Sequence, residues 1–224
     1  MSTLRLGSIV PDFEAVTTKG PIKFHEWIGS SWAILFSHPA DFTPVCTTEL
    51  GAVAKVSGSF ADRDVKIIGL SVDDVKDHES WISDINEVNA DVNEVNDVTV
   101  SFPVIADHDR KISVAYGMLD DPTHDPTNIA PSGDPMTVRS VFFIDPSLRI
   151  RATLTYPATC GRNFGEILRV LDSLQLTDSR RVTTPANWFP GDPVIIHPGV
   201  SNEEADKLFP GYKTIKPYLR TTRL

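Results

Sequence analysis

The chain has 224 residues, 41% hydrophobic and 23% charged, with a formal charge of −9 and a pI near 5.1. That length supports a sizeable core, and the acidic balance argues against nucleic acid or an anionic membrane as the main partner. No apolar run approaches the length of a membrane span, and two cysteines make no disulfide scaffold, which suits a reducing compartment.

Val10-Pro11-Asp12-Phe13 reads as an extended lead-in, and His25-Glu26-Trp27-Ile28-Gly29 as a short helical turn closed by glycine. No signal-peptide pattern is read ahead of them. Cytoplasmic residence is therefore expected, with mitochondrial residence as the alternative. Trp32-Ala33-Ile34-Leu35-Phe36-Ser37 is short, continuous and apolar, the mark of a buried strand. The residues from Glu49 through Val56 to Phe60 carry apolar side chains at helical spacing. Thr43 then falls at the N-cap and Pro44 at the first helical position, where a missing N–H is harmless. A second buried strand, Val65 to Val72, leads through Asp73-Asp74 into a helix over Trp81, Ile82 and Ile85. Strand and helix in alternation point to a parallel-type α/β sheet.

Residues 86–101 read as a helix end and an exposed connection, Phe102 to Ala106 as a short extended piece, and Arg110 to Tyr116 as a short helix. Asp120 to Thr137 holds Pro122, Pro126, Pro131 and Pro135, so a surface loop is expected there. Ser140 to Pro146 is a strand into a turn, Ile150 to Tyr156 its antiparallel neighbour, and Asn163 to Leu176 an amphipathic helix. Six prolines break the remainder, leaving Asn202 to Leu208 as its one helix. These features divide the chain into a main domain, 1–175, and a C-terminal extension, 176–224, too poor in apolar residues to fold alone.

Cys46 lies in the first turn of the helix after Pro44, where free backbone N–H groups and the helix dipole favour an anion. Cysteine is a nucleophile only as the thiolate. Lowering a thiol from about 8.5 to about 6 needs roughly 3.4 kcal/mol. A helix N-terminus supplies at most about 2 kcal/mol, whereas a charge-assisted hydrogen bond from arginine adds about 1.5–3. A basic partner from elsewhere in the chain is required. The bland alternative is a small buried apolar residue near a helix start.

Pro39-x-x-x-Thr43-x-x-Cys46 resembles the active-site signature of the peroxiredoxins, and Phe36 through Leu50 resembles their one-cysteine, peroxiredoxin-6 branch. The resemblance continues through Trp81-x-x-Asp84-Ile85-Asn86, Phe102 to Asp107, Tyr116-Gly117-Met118-Leu119, Thr137 to Phe142, Tyr156 to Asn163 and Pro185-Ala186-Asn187-Trp188. It thus covers nearly the whole chain in one order. It implies a thioredoxin-like fold, a central mixed sheet flanked by helices, with a C-terminal domain reaching across a homodimer.

The resemblance also assigns roles. Cys46 becomes the peroxidatic thiol, Arg139 the arginine that binds thiolate and peroxide, Thr43 a hydrogen-bonding partner of the peroxide, and Pro39 the shield of the pocket. Without it, Arg139 would read as a solvated charge at a strand edge and Pro39 as a turn proline. His38 matches the family histidine beside the sulfur, Arg162 a second supporting arginine, and Glu49 a carboxylate that orients one of them. The implied reaction is thiol-dependent reduction of hydrogen peroxide or organic, including phospholipid, hydroperoxides through a Cys46 sulfenic acid. No metal or organic cofactor is implied, and the six histidines lack metal-ligand spacing.

Two-cysteine relatives carry a resolving cysteine before Pro-Ala-Asn-Trp; here threonine stands there, in Thr183-Thr184-Pro185. An external thiol, glutathione or a thioredoxin-type donor, is therefore expected to recycle the enzyme. Cys160, two residues before Arg162, is either a second redox thiol or an inert one. Cys46-Thr47-Thr48-Glu49 lacks the second sulfur of a thioredoxin-like reductase. Two alternatives remain: phospholipase A2-like hydrolysis, for which Gly29-Ser30-Ser31-Trp32-Ala33 lacks the last glycine of Gly-x-Ser-x-Gly, and a redox-regulated chaperone.

Overall fold

The structure is a computed structural model that describes residues 4–93, 99–121 and 128–224. Contacts divide the chain into two compact units between Phe164 and Gly165.

The first unit is built on a seven-stranded mixed sheet in the order β2-β1-β5-β4-β3-β6-β7. β3 (Trp32–Ser37), β4 (Val65–Ser71) and β5 (Val104–Ala106) run parallel, as strand–helix alternation requires. They are linked by α2 (Pro44–Ala61) and α3 (Val75–Asn93). β6 (Arg139–Ile144) pairs antiparallel with β3, and β7 (Ile150–Tyr156) with β6. Every residue of β3 is buried, which explains its unbroken apolar run. Ala33 and Leu35 join the core cluster with Phe24, Ile68, Ile105 and Phe142 on one face; Ile34 and Phe36 alternate to the other.

The structure differs from the sequence reading at two places in this unit. The lead-in is followed by a hairpin, β1 (Glu14–Thr17) and β2 (Gly20–Lys23), whose short strands carry no long apolar run. α1 (Phe24–Ile28) follows as expected, closed by Gly29 at φ +63°. α3 continues past Asn86 to Asn93, a stretch in which asparagine and acidic residues interrupt the apolar pattern of the sequence. α4 (Lys111–Tyr116) matches expectation. Of the expected 120–137 loop, residues 122–127 lie outside the described ones; the rest is irregular apart from isolated bridges such as Leu119 to Thr137.

In the second unit, α5 (Phe164–Ser179) precedes β8 (Val182–Thr183), β9 (Val194–Ile196), α6 (Asn202–Leu208), β10 (Lys213–Lys216) and β11 (Leu219–Thr222). The four strands form an antiparallel sheet, β10-β11-β9-β8. Val182, Trp188, Val194, Ile196, Val200, Ala205 and Phe209 form a small core, with Leu176 against it. Strands of two to four residues are too short to show a period, so the sequence does not reveal them. α6 is closed at its start by a capping box between Ser201 and Glu204. Among the described residues, no helix is long and apolar enough to cross a membrane.

Candidate active site

Three strand ends converge here. Phe36 of β3 lies opposite Val141 of β6, so the end of β3 at Ser37 and His38 sits beside the start of β6 at Arg139. Arg139 in turn lies opposite Tyr156, the last residue of β7. The loops leaving β3 and β7 therefore meet at one edge, as ligand sites of open α/β sheets do.

The β3 loop turns sharply at Phe42, whose φ of +53° is uncommon for a bulky side chain, and then enters α2 with Pro44 in its first turn. Thr43 occupies the N-cap position with extended backbone, but its side chain makes no capping bond. Its hydroxyl instead donates to the Ala40 carbonyl at 2.8 Å, closing the loop. This corrects the expected capping role; the oxygen retains its lone pairs for another donor. Pro39 is buried in the same loop.

Cys46 is fully buried, and Arg139 Nη1 stands 3.3 Å from its Sγ. The same Nη1 donates to Glu49 Oε2 at 2.7 Å, while Nε and Nη2 grip the Ala158 carbonyl at 2.8 and 2.6 Å. Arg162 holds Glu49 through Nε at 2.9 Å and Nη2 at 2.7 Å, with its backbone N–H adding a third bond at 2.7 Å. Its Nη1 donates to the Ser37 and Ser140 carbonyls. Phe36 and Phe164 face its guanidinium at 5.3 and 5.7 Å. Glu49 thus orients both arginines rather than one. Burial alone would push its carboxyl up, but the Arg162 bonds and the charges of Arg162 and Arg139 hold it below the usual range.

Charge counting decides what this arrangement favours. Arg139, Arg162 and Glu49 are 2%, 7% and 3% exposed. Two guanidiniums on one carboxylate leave a single positive charge buried against the sulfur. A thiolate at Cys46 completes the neutralisation; a thiol does not.

The remaining expected residues have other partners. His38 makes no hydrogen bond to the sulfur: its Nε2 faces Asp41 Oδ1 at 2.9 Å, and its Nδ1 has no hydrogen-bond partner. Asp41 also meets His78 Nδ1 at 2.5 Å. Asp41 and His78 were not singled out from the sequence, although the spacing His78, Trp81, Ile85 puts an ionisable group on the buried stripe of α3. Cys160 is exposed and Cys46 buried, and both are free thiols. The Cys160 loop nevertheless borders the site, since a Cβ on Gly161 would lie 3.5 Å from the Val45 side chain. Ser31 donates to Asp64 at 2.8 Å. His25 Nε2 meets the Val10 carbonyl at 3.0 Å, so Ser31 and His25 each have another partner.

Comparison with known proteins shows the family. Residues 6–153 match the AhpC/TSA family, and residues 173–211 match the C-terminal domain of 1-Cys peroxiredoxin. The chain is a 1-Cys peroxiredoxin. It is 52% identical to the mitochondrial peroxiredoxin PRX1 of Saccharomyces cerevisiae over 220 residues, 98% of this chain and 81% of that one. A solved cysteine-to-serine mutant of the peroxiredoxin 6 of Arenicola marina superposes with a TM-score of 0.90 at 47% identity, covering 98% of both chains. A yeast mitochondrial 1-Cys peroxiredoxin, solved to explain thiol resolution through glutathione and thioredoxin systems, superposes with a TM-score of 0.87 at 51% identity. That match covers 99% of this chain and all of the yeast one. As a peroxiredoxin the protein is a thiol-dependent peroxidase with a thioredoxin-like fold.

Proposed function

We propose that Cys46 is the peroxidatic thiol and reduces hydrogen peroxide and organic, including phospholipid, hydroperoxides. The observation that carries this is the buried excess positive charge of Arg139 and Arg162 over Glu49, aimed at Sγ. The thiolate attacks the nearer peroxide oxygen; an S–O bond forms as the O–O bond breaks. Sulfur gives up two electrons, and the leaving oxygen takes a proton and departs as water or alcohol. Arg139, Thr43 and the free N–H groups at the start of α2 face the charge moving onto that oxygen, which is electrostatic preorganisation. Pro39 keeps the pocket dry, and His38, Glu49 and Arg162 support it.

The sulfenic acid then condenses with an external thiol, releasing water, and a second thiol displaces Cys46 from the mixed disulfide. Glutathione or a thioredoxin-type protein supplies those thiols, in keeping with the systems that resolve the yeast relative. Cys160, exposed where Cys46 is buried, is the only internal competitor. We place the enzyme in the cytosol, with the mitochondrion, where the yeast relative resides, as the alternative. We further propose a homodimer, in which residues 176–224 form the arm. β7 ends the sheet order, which makes it an edge strand that a second copy of the chain could meet.

The test is intact mass and peptide mapping after reduced protein meets sub-stoichiometric hydrogen peroxide for a few seconds. One oxygen on Cys46, captured by a sulfenic-acid reagent, is expected. A Cys46–Cys160 crosslink would instead make Cys160 a resolving thiol. Two untouched cysteines would refute the assignment.

A further inference from the structure

The proposed chemistry makes no use of the cluster that His38 forms with Asp41 and His78. Its side chains are 0–1% exposed, so three polar groups are buried side by side, which is rare unless they serve one another or a reaction. Their hydrogen bonds fix where the protons are. His78 Nε2 faces the Ile105 carbonyl at 3.1 Å, and Nδ1 faces the Asp41 carboxylate at 2.5 Å. Both partners accept only, so both nitrogens of His78 must donate. His38 Nε2 faces the other Asp41 oxygen at 2.9 Å and donates as well.

One carboxylate is neutralised by one extra proton, and two imidazoles compete for it. His78 can give its second N–H to the Ile105 carbonyl, and Asp73, on the connection between β4 and α3, adds negative potential. His38 has no acceptor for a second N–H, because its Nδ1 is buried without a partner. Burial opposes charge on His78, but the bond to Asp41 and its charge outweigh that and raise its affinity for a proton. Asp73 is held in turn by the Asp41 backbone N–H at 3.0 Å and the Ser71 hydroxyl at 2.6 Å. The His38 ring lies against Trp81, 5.2 Å between centroids, and the Trp81 indole N–H donates to Thr47 in the first turn of α2.

We propose that His78 is a positioning residue for the peroxidase: by carrying the proton that neutralises Asp41, it leaves His38 Nδ1 a bare acceptor on the residue that leads from β3 into the Pro39–Thr43 loop. The catalytic cycle supplies the donors such an acceptor lacks, namely a thiol proton, a peroxide O–H and a sulfenic O–H. Without His78, the buried carboxylate draws its proton onto His38, and Nδ1 becomes a donor of the wrong sense. The proposal rests on the reading of Cys46 as the peroxidatic thiol.

Long-range proton–nitrogen NMR of the imidazoles in the reduced full-length protein tests it. At neutral pH, His78 is expected to show two protonated nitrogens and His38 an unprotonated Nδ1. In His78→Gln, His38 is expected to gain a proton on Nδ1, and kcat/KM for hydrogen peroxide to fall about tenfold or more, the scale of one misoriented hydrogen bond. A wild-type spectrum with the charge on His38 overturns the proposal. So does a His78→Gln variant that keeps both the wild-type His38 signals and kcat/KM, or that loses only thermal stability. Should that variant not fold, the wild-type spectrum decides alone. The expected spectrum in a protein without peroxidase activity would refute the Cys46 reading and leave the protonation assignment standing.

Discussion

Replacing Arg139 by glutamine tests the charge count at the site most directly. The substitution keeps a planar donor but removes the positive charge 3.3 Å from Sγ. Glu49 and Arg162 then balance each other, and a thiolate becomes an uncompensated buried anion. A charge-assisted hydrogen bond is worth about 1.5–3 kcal/mol, which converts to a loss of roughly 10- to 150-fold in kcat/KM. The ultraviolet absorbance of the thiolate at neutral pH should fall with it, since both report the same stabilisation. Stopped-flow reduction of hydrogen peroxide measures the rate. Circular dichroism confirms folding, because breaking a buried ion network costs several kcal/mol. Arg139→Lys keeps the charge, but its single ammonium cannot span Ala158, Glu49 and the sulfur, so an intermediate loss is expected. A folded Arg139→Gln enzyme within threefold of wild type would refute the argument that buried charge activates Cys46.

Three further outcomes follow from the same geometry. Thr43→Val should lower kcat/KM about tenfold, while Thr43→Ser, which keeps the hydroxyl on Ala40, should stay near wild type; equal losses in both would remove the hydroxyl from the mechanism. Glu49→Gln should destabilise the fold by about 3–5 kcal/mol at neutral pH, because two buried guanidiniums lose their shared partner. Since the Glu49 carboxyl is held below its ordinary value of 4.5, its contribution is complete above that value and lost as pH falls through the depressed one. Melting curves of wild type and variant should therefore converge on acidification, and a gap independent of pH would contradict the assignment. Ser31→Ala should leave peroxide reduction unchanged and cost about 1 kcal/mol through the lost Asp64 bond. Ester hydrolysis that disappears in this variant but survives Cys46→Ser would revive the hydrolase reading.

The dynamic demand on the enzyme is visible in the same contacts. In the proposed cycle, peroxide would have to reach a sulfur that is fully buried, and the recycling thiol the sulfenic acid formed from it. The loop from Pro39 to Thr43 beside it is pinned by the Thr43–Ala40 bond and the Asp41 contacts to His38, His78 and Asp73. Exposed Cys160 lies on the loop that Arg139 holds through Ala158.

The sequence by itself determined the local frame of Cys46, the proposed nucleophile. A buried strand, a turn, Pro44 and an apolar helical stripe place Cys46 in a helix's first turn, and each of these is decided within a dozen residues. The ordered motifs from Pro39 to Trp188 supplied the family, and the energetics of the thiolate demanded a cation without locating it. Only the tertiary structure decided how the charges balance. Arg139 and Arg162 reach Glu49 across 90 and 113 positions because β6 pairs with β3 and β7 returns beside it. Long-range pairing likewise turned His38 toward Asp41 and brought in His78, and it drew short, aperiodic strands after Leu176 into a core. A helix start is encoded by neighbours in the chain. A buried charge network depends on which strands lie side by side, and no local pattern records that.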